Sequence, residues 1–410
     1  MLDAYRAVFR APGTAAFATA GFVMRMPIAI YPIGLVLIIS ARTGEYGFAG
    51  LLSACYVFGG VPGNPLLARL VDRYGQGRML LPASAVTLGA TIALAFLLEG
   101  GAPHWTLMLA AFVAGFSYLS VGSLVRARWS LALAGRPELS TAYSLESVLD
   151  ELIFVVGPLI ATLIATHADP VIVLYVCCAL IGAGALWLSV QRRTEPPAHP
   201  AGAPKHPSAL RHRGVVLLCA AMVAMGALFA SAEVSMVAFC GQHGHRSLSG
   251  LVLALFAAGS GISGLVYGAR TWRAGVLTRF RLQASIFAVL PLVFLAATNV
   301  AVLAVCAFLV GLGTAPTLIT AFGLVEQLVP AASLTEGLAW VITGLNLGYG
   351  IGSAVVGSIA DAHGARIAFT VTVASALLMG GFALVLHARL RASASGSQDA
   401  MGRSEHAALP

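Results

Sequence analysis

The chain has 410 residues, of which 59% are apolar and 10% charged, with a net charge of +8. Soluble domains usually carry about 25% charged residues. A water-soluble fold of this length is therefore excluded, because it would lack the charges to cover its surface, and most of the chain must be solvated by lipid.

A helix that crosses a bilayer needs about 20 mostly apolar residues. Taken in chain order, such runs lie near 14–40, 46–70, 79–99, 105–127, 142–166, 170–190, 214–240, 248–268, 280–298, 300–322, 334–360 and 366–388. They predict an all-α membrane protein with twelve transmembrane helices. The first run contains Arg25 and has no clear small-residue cleavage site, so it reads as a retained helix and not a secretory signal.

Twelve spans put both termini on one face. That face collects 20 of the 24 Lys and Arg, the other face holds Arg42, Arg246 and Arg366, and Arg25 lies inside a span. Basic loops stay inside, so we expect a plasma (inner) membrane protein with both termini in the cytoplasm. The same asymmetry accounts for the net charge without a nucleic-acid partner.

Residues 191–213, QRRTEPPAHPAGAPKHPSALRHR, have no apolar period and are rich in Pro, His and basic residues. They read as a cytoplasmic linker with little fixed structure. The expected layout is an N-terminal six-helix bundle at 1–190, the linker, a C-terminal six-helix bundle at 214–388 and a disordered cytoplasmic tail at 389–410. The halves are pseudo-symmetric. An offset of 195 aligns Leu139 with Leu334 and Gly157 with Gly352, and 112-FVAGFSY-118 sits over 308-FLVGLGT-314 one residue out of that register. Paired six-span repeats are common in secondary transporters, with the substrate near the midplane between them.

The loop after the second span, 68-ARLVDRYGQGRMLL-81, carries Asp72, Arg73, Gly75 and Arg78. With the twelve spans and the central linker, it resembles the major facilitator superfamily of secondary transporters, whose loop motif is Gly-x-x-x-Asp-Arg-x-Gly-x-Arg/Lys-Arg. Ala68 stands where Gly is usual, and Gly77 interrupts the basic run. The resemblance implies a gating loop: Asp72 would pair with Arg or accept helix N-terminal amides, and Gly75 would permit the tight turn. Gly157-Pro158 resembles the helix-packing motif of drug-efflux members, with Ala161 and Thr162 replacing its further glycines. With its Ala-rich composition and short basic loops, the chain resembles actinobacterial efflux-type members. The fourth-span Arg of many proton antiporters is missing, since Ala111 occupies the nearest position.

Ionisable residues at membrane depth are costly and are functional candidates. Arg25 lies roughly 16 Å into the first span and Asp150 roughly 12 Å into the fifth, from the same face. Glu146 and Asp150 are four apart and share a helix face, while Glu151 points about 100° away. We expect Arg25 to pair with Asp150 or Glu151. Arg126 and Arg128, at the end of the fourth span, read as headgroup anchors or helix caps. The resemblance implies that the first, fourth, seventh and tenth spans line a central cavity, where Glu233 would bind a cation or carry a proton. Further cavity candidates are Tyr31, Ser117, Tyr118, Thr314, Thr317 and Asn346, each of which alone is more often packing glue.

The six Cys and ten His show no ligand spacing, so no metal or cofactor is expected. No phosphate-binding Gly-x-x-x-x-Gly-Lys-Ser/Thr occurs. The sequence therefore reads as a non-enzymatic secondary transporter, expected to be monomeric. We expect it to export a small amphipathic molecule, such as a drug, by proton antiport. The alternatives are uptake of a sugar or small metabolite or, in a different class, a membrane-embedded lipid-linked transferase.

Overall fold

A computed structural model describes residues 2–43, 46–198, 208–245 and 248–407. Within these residues the chain is helical, with no strand. Residues 199–207, including Lys205 of the linker, and Arg246 lie outside them. The helices are α1 (Leu2–Val8), α2 (Thr14–Arg25), α3 (Pro27–Thr43), α4 (Tyr46–Tyr74), α5 (Gln76–Glu99), α6 (His104–Ser117), α7 (Val121–Ala132), α8 (Glu138–His167) and α9 (Ile172–Ser189). They continue as α10 (Arg213–Gln242), α11 (Ser249–Ala269), α12 (Val276–Val289), α13 (Val300–Gly311), α14 (Thr314–Leu328), α15 (Leu334–His363) and α16 (Ala365–Ala407).

Among the described residues, twelve segments are long and apolar enough to cross a membrane. Some spans are interrupted. The first, Thr14–Ile39, breaks between α2 and α3, because Pro27 has no amide to continue the ladder. The fourth, His104–Ala132, breaks where Tyr118 turns extended. The ninth tightens into a 3-10 turn at Leu290–Ala296, around Pro291. The tenth breaks between α13 and α14, at Leu312 and Gly313. Hydropathy alone does not show such breaks. At the chain's end α16 runs on to Ala407, so helix occupies 389–407, where disorder was expected.

The chain forms two compact units. One comprises Met1–Ala209 with Gly264–Thr271 and Val329–Thr343; the other comprises Leu210–Ser263, Trp272–Leu328 and Gly344–Pro410. Two short segments from beyond the linker thus fold with the first unit. In that unit the linker's start is ordered: Arg192–Thr194 form a 3-10 turn, and Glu195 accepts the Gly77 amide at 2.8 Å. Helix α1 packs on α8. Its Tyr5 hydroxyl donates to the Leu265 carbonyl at 3.0 Å and meets Ser144 Oγ at 3.1 Å. Burial raises the Tyr5 pKa above its usual value, which keeps the hydroxyl a donor.

Glycine decides how the spans cross. Hydrocarbon gives helices no hydrophobic reason to associate, so close backbone approach supplies the contact. In the first unit a Cβ at Gly59 would strike the Phe112 carbonyl, and one at Gly115 the Tyr56 carbonyl. In the second unit a Cβ at Gly259 would strike the Phe308 carbonyl, and one at Gly311 the Phe256 carbonyl. The same reciprocal pair therefore joins α4 to α6 and α11 to α13. The repeat extends to the fifth and eleventh spans, where a Cβ at Gly157 would lie 2.7 Å from Ala29 and one at Gly352 2.7 Å from the Ala227 oxygen. All six cysteines are free.

Replacing Gly115 with Ala should destabilise the protein by about 1–3 kcal/mol, since the methyl has nowhere to go. Gly89 on α5 has open space around it, so Gly89→Ala should be neutral or gain up to about 1 kcal/mol in helix propensity. Unfolding midpoints of the two purified variants check the contrast.

Candidate functional site: a buried charge cluster

The cluster starts at the break in the first span. Arg25 is the last residue of α2, and the Met26 amide turns back to Phe22 and Val23 carbonyls at 3.2 and 3.3 Å. A helix C-terminus carries partial negative charge, which favours a cation there. Arg25 Nε donates to the Gly21 carbonyl at 3.3 Å, which aims the guanidinium at α8. One amino group, Nη1, donates to Asp150 Oδ1 at 2.8 Å; the other, Nη2, donates to Glu146 Oε2. The expected Arg25–Asp150 pair is therefore present. Glu146, placed by the sequence on the same helix face, joins it.

Two further residues come from α7. Arg126 Nη2 donates to Asp150 Oδ2 at 2.8 Å, so each oxygen of this carboxylate meets a different guanidinium. Trp129 Nε1 donates to Glu146 Oε1 at 2.8 Å, and its ring packs edge-on against Phe17 at 4.6 Å. The cluster holds two cations and two carboxylates and is electrically balanced. Arg25, Arg126 and Glu146 are 3%, 1% and 0% exposed, whereas the Asp150 side chain is 34% exposed. Asp150 is thus the accessible member. Glu151 is half-buried on the neighbouring face.

The reading of Arg126 and Arg128 as headgroup anchors is corrected: both are buried. Arg128 donates to Gln76 Oε1 at 2.7 Å, Thr194 Oγ1 at 2.9 Å, and the Gln191 and Leu188 carbonyls at 3.0 and 3.1 Å. It ties α7 to the start of α5 and to the end of α9. A signal for Arg126 was available, since two carboxylates on one face of α8 call for a second cation at that depth.

The loop motif is held by two carboxylates, its own Asp72 and Glu195, which accepts the Gly77 amide at 2.8 Å. Gly75 has a φ of +91° and closes α4 with its amide on the Val71 carbonyl at 2.7 Å. Asp72 accepts the Thr335 and Glu336 amides at 3.3 and 2.8 Å, in the first turn of α15. This is one of the two arrangements expected for it, a carboxylate on helix N-terminal amides. Arg73 lies over the Tyr74 ring at 5.1 Å, and Arg78 is exposed.

Several cavity candidates serve packing instead. Tyr31 is fully buried, donates to Thr91 Oγ1 at 3.2 Å and stacks on Tyr56 at 4.1 Å. Ser117 returns its hydroxyl to the Val113 carbonyl at 2.7 Å, and Tyr118 donates to the Met24 carbonyl at 2.7 Å, across the two span breaks. In the second unit Thr317 bonds the Gly313 carbonyl at 2.8 Å, Thr314 is buried and Asn346 is half-buried. Glu233, by contrast, is exposed and accepts the Tyr349 hydroxyl at 2.6 Å. Among the described residues it makes no ion pair, and no group of His, Cys, Asp and Glu could hold a metal.

Twelve spans, broken helices and charges at membrane depth define a multi-pass membrane transporter. Residues 15–296 and 241–408 match the Major Facilitator Superfamily, and the chain belongs to that family. It is a secondary transporter of the alternating-access kind. Comparison with curated protein sequences gave no match. Among solved structures it resembles a bacterial homologue of the iron transporter ferroportin in an outward-facing state, at 14% identity and a TM-score of 0.76, covering 92% of this chain and 99% of that one. It also resembles the E. coli fucose:proton symporter, at 14% identity and TM-score 0.73, covering 91% and 98%. A human organic anion transporter is similar at 14% identity and TM-score 0.66, covering 93% and 99%. At these identities the likeness is one of fold.

Arg25→Gln should cost about 3–5 kcal/mol, because it strands a buried carboxylate. Pairing it with Glu146→Gln should recover part of that loss. A double-mutant cycle on unfolding free energies checks this, and additive costs would mean that the two groups are not coupled.

Proposed function

We propose that this transporter exports a small amphipathic molecule from the cytoplasm across the plasma membrane in exchange for protons, with Glu233 as the proton carrier. The observation that carries the reading is the contrast between its two sets of carboxylates. Glu146 and Asp150 have their countercharges in Arg25 and Arg126. Glu233 lies within the seventh span, and the titratable group facing it is the neutral Tyr349 from α15. An ionised carboxylate in a low-dielectric span needs a proton or a cation, and a group that alternates between the two is what exchange requires. Ser231 and Ser235 flank Glu233 in sequence but are buried.

The chemistry of the spans supports an amphipathic solute over a sugar. A sugar site needs many hydrogen-bonding side chains, yet the chain has three Asn, and one of these, Asn299, caps α13. Amphipathic compounds also cross bilayers unaided, so a carrier for them is needed mainly to drive them out. The 20:3 split of basic residues supports cytoplasmic termini, and the drug-efflux resemblance of Gly157-Pro158 agrees with export. Family membership assigns transport and not the lipid-linked transferase chemistry.

Inside-out vesicles loaded with the wild-type chain should accumulate amphipathic dyes from a compound panel only while a pH gradient is maintained. Glu233→Gln should reduce that accumulation at least about tenfold, the range typical of losing one positioned proton-transfer group. A Glu233→Gln variant with unchanged pH dependence would remove Glu233 from the coupling role.

A further inference from the structure

We infer that α12 and α16, where they meet at one face of the membrane, form a binding site for the phosphate of an anionic phospholipid, with Arg281 and His387 as its donors.

Both helices belong to the second unit and pack against each other. Arg281 lies five residues into the ninth span, Val276–Ala296, and His387 four residues before the end of the twelfth, Ala365–Arg391. At about 1.5 Å per residue, each sits within about 8 Å of its span end. In a chain of twelve spans those two ends fall on the same face, the one that also holds the termini.

His387 is buried, yet neither ring nitrogen has a partner in hydrogen-bonding geometry, although the Leu277 backbone is close by. The charges that face the ring are the guanidiniums of Arg281, from α12, and Arg391, one turn further along α16. Arg281 is half-buried and makes no ion pair among the described residues. Neither helix supplies a carboxylate: no Asp or Glu occurs from 234 to 325 or from 362 to 398, which covers α12 and the spanning part of α16. Positive charge gathered at membrane depth without an acidic residue on its own helices favours an anion from outside the chain.

A phosphate suits these donors. The guanidinium fork matches phosphate oxygens, and the imidazole N–H adds a donor from the second helix. Helix α12 starts at Val276 with Gly275 before it and no side-chain cap, so its N-terminal dipole adds to the positive field. The bilayer is the source of that phosphate. Leu282 and Ile286 on α12 and Leu384 and Val385 on α16 are exposed, and they continue from the site along the spans. A ligand that fits this surface carries acyl chains beside its charge. Basic pockets between membrane helices bind anionic headgroups in this way.

In the test, purified full-length protein is titrated with phosphatidylglycerol or phosphatidylcholine of identical acyl chains, and bound lipid is counted by native mass spectrometry. The wild type should hold phosphatidylglycerol about tenfold more tightly, the effect of one or two basic groups. Arg281→Gln and His387→Leu should each remove most of that preference. Arg136→Gln, which neutralises an exposed basic residue of the first unit, should leave it unchanged, and inorganic phosphate should not displace the lipid. Equal binding of the two lipids by the wild type overturns the inference, even if a variant fails to fold. An unchanged preference in Arg281→Gln overturns it too. An equal loss in Arg136→Gln would mean diffuse attraction to basic loops, and displacement by inorganic phosphate would mean a soluble ligand; either result also overturns it. None of these outcomes depends on the exported solute or its coupling to protons.

Discussion

A charge inside a membrane span has no water to turn to. The cost of desolvating it can be met by an opposite charge, by protonation or by a bound ion, and the arrangement of this protein follows from which of these each group uses. Arg25 lies at the first break in the chain, where α2 ends and Pro27 starts α3. Its charge is met by Glu146 and Asp150, four residues apart on one face of α8. Two carboxylates need a second cation, and Arg126 on α7 supplies it. Each requirement generates the next, until four groups close on net neutrality with Trp129 and Phe17 as their apolar cover.

The packing of the spans sets the stage for that cluster by a different means. Lipid-solvated helices gain little from burying Leu or Val against one another, because the tails are equally apolar. Close backbone approach is what remains, and glycine permits it. The reciprocal crossings at Gly59 with Gly115, and at Gly259 with Gly311, fix the α4–α6 and α11–α13 pairs in the same way in each unit. Gly157 brings α8 against Ala29 on α3, within a few residues of the cluster. The helix-packing motif and the charge cluster are therefore one structural arrangement, since the glycine that seats α8 also brings Asp150 within reach of Arg25.

Much of this was legible in the sequence. Apolar runs of bilayer length stood out against the 10% of charged residues, and the offset alignment already paired Gly157 with Gly352. The depth argument placed Arg25 beside Asp150, because rise per residue is a reliable ruler inside a helix. What escaped were features that depend on burial or on breaks in a helix. Arg126 and Arg128 sit near a span end, where a basic residue is ordinarily an anchor, and only the fold shows that they turn inward. Tyr31 and Ser117 look like cavity residues by polarity, yet each finds a partner on its own or a neighbouring helix. Hydropathy averages over a window, so the breaks after Arg25 and Ser117 leave no trace in it.

Asp150 and Glu233 differ in one physical respect. Asp150 is held by full countercharges on both oxygens. Adding a proton there would undo two ion pairs. Glu233 is held by a neutral hydroxyl. Among the described residues it makes no ion pair, which is why the proposed exchange assigns the proton to this group. A carboxylate saturated with countercharge is suited to tying helices together, and under the proposed exchange the one without such pairs is the group suited to carrying a proton.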